Sequence, residues 1–239
     1  MSRRSRAVVV LRRTAMVAMA AAVCLVAASP AQAAPKDSGI ADASKRLAGF
    51  TAGELLGEEL RQVLELPLEV NPAAGADTCL SAGHKKKVLL LWTTRAPDPV
   101  PTCKVKPGTP VFFYALGGEC SSVEDPPFFG ETAEEQLQCM RDFLASTGFN
   151  AILVSIDGGP PVNIGLERFL AVSEQGTVDL PFPNVLGVPG GPATFVAAGY
   201  VALVRPLPPG SHTITVTIVG GRFAGINRAV VNVVPGLKS

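Results

Sequence analysis

Between residues 211 and 219 the chain reads SHTITVTIV, with Ile214, Val216 and Ile218 on one face and Thr213, Thr215 and Thr217 on the other. Extended backbone points successive side chains to opposite faces, so a period of two is the signature of a half-buried β-strand. The run Leu203–Leu207 precedes it, and Pro208-Pro209-Gly210 separates the two. Proline presets the turn and offers no amide to extend a ladder. The pattern predicts a strand, a tight turn and a second strand late in a Greek key, forming a wall of the body. His212 heads the second strand and reads as a hydrogen-bonded strand-end histidine rather than as a ligand or base.

The same apolar, strand-like character recurs in KVLLLWT (87–93), PVFFYAL (110–116), FNAILVSID (149–157), LERFLAVS (166–173), TFVAAGYVALVRPL (194–207) and RAVVNVV (228–234). Gly and Pro clusters bound these runs, which points to a mainly β chain of the immunoglobulin-like, Greek-key sandwich type rather than to alternating βα units. Helical spacing appears twice. Thr51 and Glu54 stand at capping-box distance before a stripe of Leu56, Leu60, Val63 and Leu64, and Pro67 stops the helix. Thr132 and Glu135 repeat the box before Leu137, Met140, Phe143 and Leu144, and Gly148 ends that helix. No internal repeat is evident. The expected organisation is therefore a processed leader over 1–33, a flexible lead-in over 34–50, a helix and Pro/Gly-rich connection over 51–76, and a disulfide-stabilised sandwich over 77–239.

The N-terminal pattern sets the compartment. Five arginines and no acid precede the mildly apolar stretch TAMVAMAAAVCLVAA, and Ala31-Gln32-Ala33 offers the small-x-small pattern behind which a signal peptidase cuts. The stretch is short for a membrane span and no stop-transfer pattern follows it. Val23 is too bulky beside Cys24 for a lipoprotein site. Arg3-Arg4 and Arg12-Arg13 lack the apolar pair expected behind a twin-arginine signal, which leaves the export route open. The expected location is secreted, extracellular or attached to the cell envelope.

Processing also changes the charge. The whole chain carries 21 bases and 20 acids, but five of the bases leave with the first 33 residues, so the remaining 206 residues have a net charge of −4. A mildly acidic exported chain has no electrostatic footprint for nucleic acid. Lys85-Lys86-Lys87 is the only basic run, and it reads as a solvated turn ahead of a strand. The chain expected after processing keeps Cys79, Cys103, Cys120 and Cys139 at wide spacings with no C-x-x-C, so two disulfides are expected rather than a zinc site. Three connectivities are open. Cys79–Cys103 and Cys120–Cys139 are expected because each closes one local excursion, worth roughly 3 kcal/mol on the chain-entropy account.

The segments DTCLSAGHKKKVLLLW, PTCKVKPGT and GGECSSVE, a helix carrying Cys139, and then AILVSIDGGPPV and PNVLGVPGGPATFVAAGYVALVRPLPPGSHTI follow in order over residues 50–235. In this the chain resembles an uncharacterised family of exported β-rich proteins found mainly in high-GC Gram-positive bacteria. The resemblance implies a signal peptide and a β-rich body. It brings no activity, cofactor or catalytic residue with it.

Candidate chemistry concentrates in GGECSSVEDPPFFGE, residues 117–131. Glu119, Glu124, Asp125 and Glu131 put four carboxylates in one short segment, a composition that suits Ca²⁺, though the spacing matches no EF-hand and no cofactor is otherwise expected. Phe128 and Phe129 follow two prolines, and either form an exposed platform for a glycan, lipid or protein partner or plug the sandwich edge. The expected binding residues are Phe128, Phe129, Glu124 and Asp125. Glu119 and Asp157 are the only carboxylate pair that would suit acid/base work on a glycosidic bond, and Asp157-Gly158-Gly159 also makes a good turn. The sequence holds no G-x-S-x-G, no H-E-x-x-H and no G-x-x-x-x-G-K, and His84 and His212 are its only histidines. Trp92 ends an apolar strand and reads as core. The expected function is non-catalytic binding of a cell-envelope or extracellular partner through loops at one end of the sandwich, with an extracellular hydrolase carrying loop-end carboxylates as the alternative.

Overall fold

The computed structural model describes residues 39–84, 87–95 and 100–237. The leader expected over 1–33, the start of the lead-in, and Lys85 and Lys86 lie outside these residues.

One long strand organises the first sheet. β11 (Gly191–Val204) is bordered along one edge by β6 (Val111–Ser121) and along the other by β10 (Gly176–Leu180), β9 (Leu170–Val172) and β1 (Ile40–Ala41), all antiparallel. β3 (Val88–Leu90) runs parallel to β6, and β2 (Leu80–Ala82) closes that side. In the second sheet β12 (Gly210–Val219) lies between β7 (Ala151–Ile156) and β13 (Gly225–Val233), with β8 (Val162–Asn163) beyond β7. The free edge of β13 takes β4 (Thr94–Arg95) antiparallel and β5 (Thr102–Val105) parallel.

Alternation then decides the layers. Along β11, Ala197, Val201 and Leu203 face one core, while Ala202 and Val204 face another; the register slips between Tyr200 and Val201. The second core lies between the two sheets, where Val111 and Phe113 meet Ile214, Val216, Ile218, Ala229 and Val231. The first core lies under α1 (Ala52–Glu65), which covers the outer face of the first sheet. Leu55, Leu56, Leu60 and Leu64 of α1 are all buried, at roughly 1.5–3 kcal/mol each. The expected capping box is present, with Thr51 Oγ1 accepting from the Glu54 amide and Glu54 accepting from the Thr51 amide. Gly53 and Gly57, one helical turn apart, let α1 approach the end of β9. A Cβ on Gly53 would sit 2.2 Å from the Val172 carbonyl oxygen, and one on Gly57 would sit 3.1 Å from Ser173 Cβ.

α2 (Ala133–Ser146) also carries its capping box, formed by Thr132 and Glu135, and packs on β6 and β11. Met140 is buried and Phe143 and Leu144 are half-buried. Gln136 is buried as well, because its amide donates to the Gly130 carbonyl and to Thr194 and accepts from Gln175. Both expected disulfides are formed. Cys79–Cys103 joins the segment before β2 to β5 and so ties the two sheets together; Cys120–Cys139 ties β6 to α2.

Three expectations change. Residues 39–50 are not a loose lead-in: Ile40 and Ala41 pair with Val204 and Leu203, and Leu47 is buried under α1. Two apolar anchors among small polar residues are enough to dock the segment. The Pro208-Pro209-Gly210 turn does not join paired strands, since β11 and β12 belong to different sheets and the turn carries the chain between layers. The run 166–173 begins as a 3-10 turn, Glu167–Phe169, which drops Phe169 into the core between the sheets before β9 starts.

Candidate functional site: a cationic groove beside the Cys79–Cys103 bridge

Part of the segment 117–131 is engaged in contacts of its own. Its first residues belong to β6, and the remainder turns back over α2. Phe128 packs against Phe143 with ring centroids 5.6 Å apart, in a small cluster with Cys120 and Met140. Phe129 beside it is exposed, at 40%. Ser121 Oγ donates to Glu124 Oε2 at 2.9 Å, the Asp125 carbonyl accepts from the Phe128 amide, and the Glu131 amide donates to Glu135. Asp125 is exposed. Among the described residues no three His, Cys, Asp or Glu side chains converge as a metal-ligand set.

Glu119 points to the α1 side of the first sheet, opposite Ala197. Burial, and then the charge of Glu124, push its carboxyl up to about 7, against the pull of a hydrogen bond from its own amide. Burial, followed by the charges of Glu119 and Glu59, raises the Tyr114 phenol well above its ordinary value. Glu59 is the residue that pattern reading passed over. It stands three after Leu56 and four before Val63, inside the buried stripe of α1, and both its carboxylate oxygens are buried without a hydrogen-bond partner among the described residues. Burial pushes its pKa well above the usual carboxylate range, which favours the neutral acid. Trp92 stacks edge-on to Tyr114 at 5.2 Å and belongs to the same core.

Asp157 is on the second sheet and is fully engaged. Its Oδ1 accepts from the Thr213 amide at 2.8 Å and its Oδ2 meets His212 Nδ1 at 2.7 Å. The carboxylate pair considered for acid/base work is therefore split between two sheets, with one member already occupied.

The other histidine leads to a different place. A cavity of about 850 Å³ opens where β2, β3 and β5 meet beside the exposed Cys79 sulfur bridge. Leu89 and Val105, which face the core between the sheets, and Leu80, which faces the core under α1, close its floor, and all three are buried. Pro110, which leads into β6, and Leu47 of the β1–α1 connection extend the floor, and Leu237 completes it. The outward positions supply the rim. Period two puts Lys104 and Lys106 on the solvent side of Val105, and the β2–β3 turn adds His84 and Lys87. All four are exposed, and among the described residues none of them makes an ion pair or a side-chain hydrogen bond and no carboxylate lines the cavity. Ala48, on the wall, has φ +54, a left-handed conformation that costs a non-glycine residue and is held by the Leu47–Phe50 bridge on either side of it.

Sequence reading set Lys87 aside as a solvated turn and gave Lys104 and Lys106 no role. The available signal was the C-K-V-K-P-G-T run itself, where lysines alternate with buried positions next to a bridged cysteine. What the sequence does not show is that the disulfide brings this strand against the β2–β3 turn.

Comparison with known proteins adds no relative: the chain matches no family, no curated protein and no solved structure.

Proposed function

We propose that this chain is an exported, non-catalytic binding protein that takes an anionic cell-envelope or extracellular partner at the groove beside Cys79–Cys103. The observation that carries the reading is the groove's charge. Among the described residues, three lysines and a histidine without ion pairs surround an apolar floor with no acid among them, in a chain that is net acidic once the basic leader is removed. Clefts lined by one sign of charge concentrate ligands of the opposite sign.

The compartment rests on the chemistry of the cysteines. Two disulfides suit an oxidising environment, and no helix among the described residues is long and apolar enough to cross a membrane. Secretion through the basic leader, and the exported family of high-GC Gram-positive bacteria that the chain resembles, complete the proposal. The body is read as an immunoglobulin-like, Greek-key sandwich; its support is the shared core between two largely antiparallel sheets. The binding face moves from the 117–131 segment to the groove, because Phe128 and Glu124 there have intramolecular partners. The hydrolase alternative loses its motivation with Asp157, both of whose carboxylate oxygens are used within the protein.

Co-sedimentation of the purified protein with washed Gram-positive envelope, at low and high salt, tests this. The protein should pellet saturably at low salt, K104E/K106E should stay in solution, and Phe129→Ala should pellet like the parent. Pelleting that survives K104E/K106E but is lost in Phe129→Ala would return the binding face to the 117–131 segment.

A further inference from the structure

We infer that the ligand of the groove is a single-chain anionic amphiphile, with its alkyl chain along the apolar lining given by Leu89, Val105, Pro107, Pro206 and Leu237 and its head among Lys87, Lys104 and Lys106. This rests on the groove being the binding site and adds the class of ligand.

The two halves of the groove ask for two different things. A site built for a small free anion offers buried, preorganised donors such as backbone amides at a helix start or a guanidinium fork. None is present here: the cations are flexible ammonium groups at exposed rim positions, which act as point charges on a head that remains in contact with water. A purely polyanionic partner would need a cationic surface and would leave the apolar floor uncovered. An uncharged lipid would use the floor and leave three ammonium groups without a counter-charge. A chain with one anionic head satisfies both. The cavity, at about 850 Å³, lies within the range of small-molecule sites, and its walls come from both sheets, from Leu47 and Ala48, and from Leu237. Such a concave, half-open groove suits one chain better than the flat face of a bilayer.

The test is calorimetric titration of the intact processed protein with n-alkyl carboxylates of eight, ten and twelve carbons, each below its micelle concentration. Inorganic phosphate and a monoacylglycerol serve as the two half-ligands. Burial of the chain predicts that affinity rises about fourfold per methylene. K104E/K106E should lose about tenfold or more for the carboxylates and nothing for the monoacylglycerol. Lys87→Glu, in a separate segment, should show the same sign, and unchanged melting of these exposed-residue variants shows that they are folded. Phosphate binding without any chain-length trend would overturn the amphiphile while leaving an anion groove in place. Equal affinity for the monoacylglycerol and the carboxylate would overturn the role of the head. No binding of any probe would remove both the amphiphile and the groove.

Discussion

His212 Nδ1 lies 2.7 Å from Asp157 Oδ2 while its Nε2 lies 2.8 Å from the Pro208 carbonyl oxygen. Both partners only accept, so the form of the ring that satisfies both is the imidazolium, with both nitrogens donating. The pair pins the turn after β7, where Asp157 itself sits at φ +53, to the head of β12. It is a clamp; a general base would need one nitrogen free.

Partial burial pulls the His212 pKa down, but the bonds to Asp157 and Pro208 more than offset it and the net shift is upward. For Asp157, burial raises the pKa while the bonds from His212 and the Thr213 amide outweigh it, so the net shift is downward. The histidine's contribution is complete below the unfolded histidine value of about 6.5 and is lost as pH rises through the raised folded value. The aspartate's contribution is complete above its unfolded value of about 3.9 and is lost as pH falls through the lowered one. Urea denaturation of Asp157→Asn against the parent should therefore show its largest deficit between about pH 4 and 6.5. Half exposure of Asp157 limits that deficit to about 1 kcal/mol. A deficit that stays constant from pH 5 to 9 would contradict the imidazolium clamp.

Glu59 carries the opposite sign. Its carboxyl ionises in the unfolded chain above about pH 4.3, while burial holds the folded pKa well above that, so it destabilises the protein increasingly as pH rises above the unfolded value. Glu59→Leu, close to isosteric in the α1 core, should stabilise at pH 7 by about 1–3 kcal/mol, the cost of an unsatisfied buried group. The gain should shrink below pH 4. Chemical denaturation at pH 3.5 and 7 measures both, and a loss of stability at pH 7 would show that Glu59 has a partner in solution.

Cys79–Cys103 closes a loop with a sequence separation of 24, and its Cys79 lines the groove. C79S/C103S should lower stability by about 3 kcal/mol and weaken ligand binding at the same time. C120S/C139S should lower stability without changing binding, because that bridge fastens α2. Titration and melting of the two variants side by side separate these effects.

Gly53→Ala would place a methyl group where the Val172 carbonyl stands, 2.2 Å from the new carbon. Helix propensity alone favours alanine by up to about 1 kcal/mol. The contact should reverse that sign and lower the melting temperature. A rise on substitution would show that α1 can lift away from β9 without loss.

Much of this architecture is legible in the chain. The capping boxes at Thr51 and Thr132, the inward Ile214, Val216 and Ile218, and the two local disulfides all follow from spacing, because each is decided by residues close in sequence. The partners of β11 are not. Its strand character is plain, but whether the next strand pairs with it or crosses to the other layer depends on which faces are already covered. Residues 39–50 mislead for a related reason, since two apolar residues in a polar run matter only once β11 offers an edge. Glu59 hides inside a helical stripe that is otherwise leucine and valine. The groove hides most completely: Lys87, Lys104 and Lys106 are ordinary exposed positions on separate elements, and only the fold and the Cys79–Cys103 bridge bring them around one floor.

The central claim is the place of binding, and an amide chemical-shift map on titration with dodecanoate tests it most directly. The account predicts saturable shifts confined to residues 79–84, 87–91 and 103–110, to Leu47 and Ala48, and to Leu237. Shifts centred on residues 119–131 instead, with the groove silent, would contradict it.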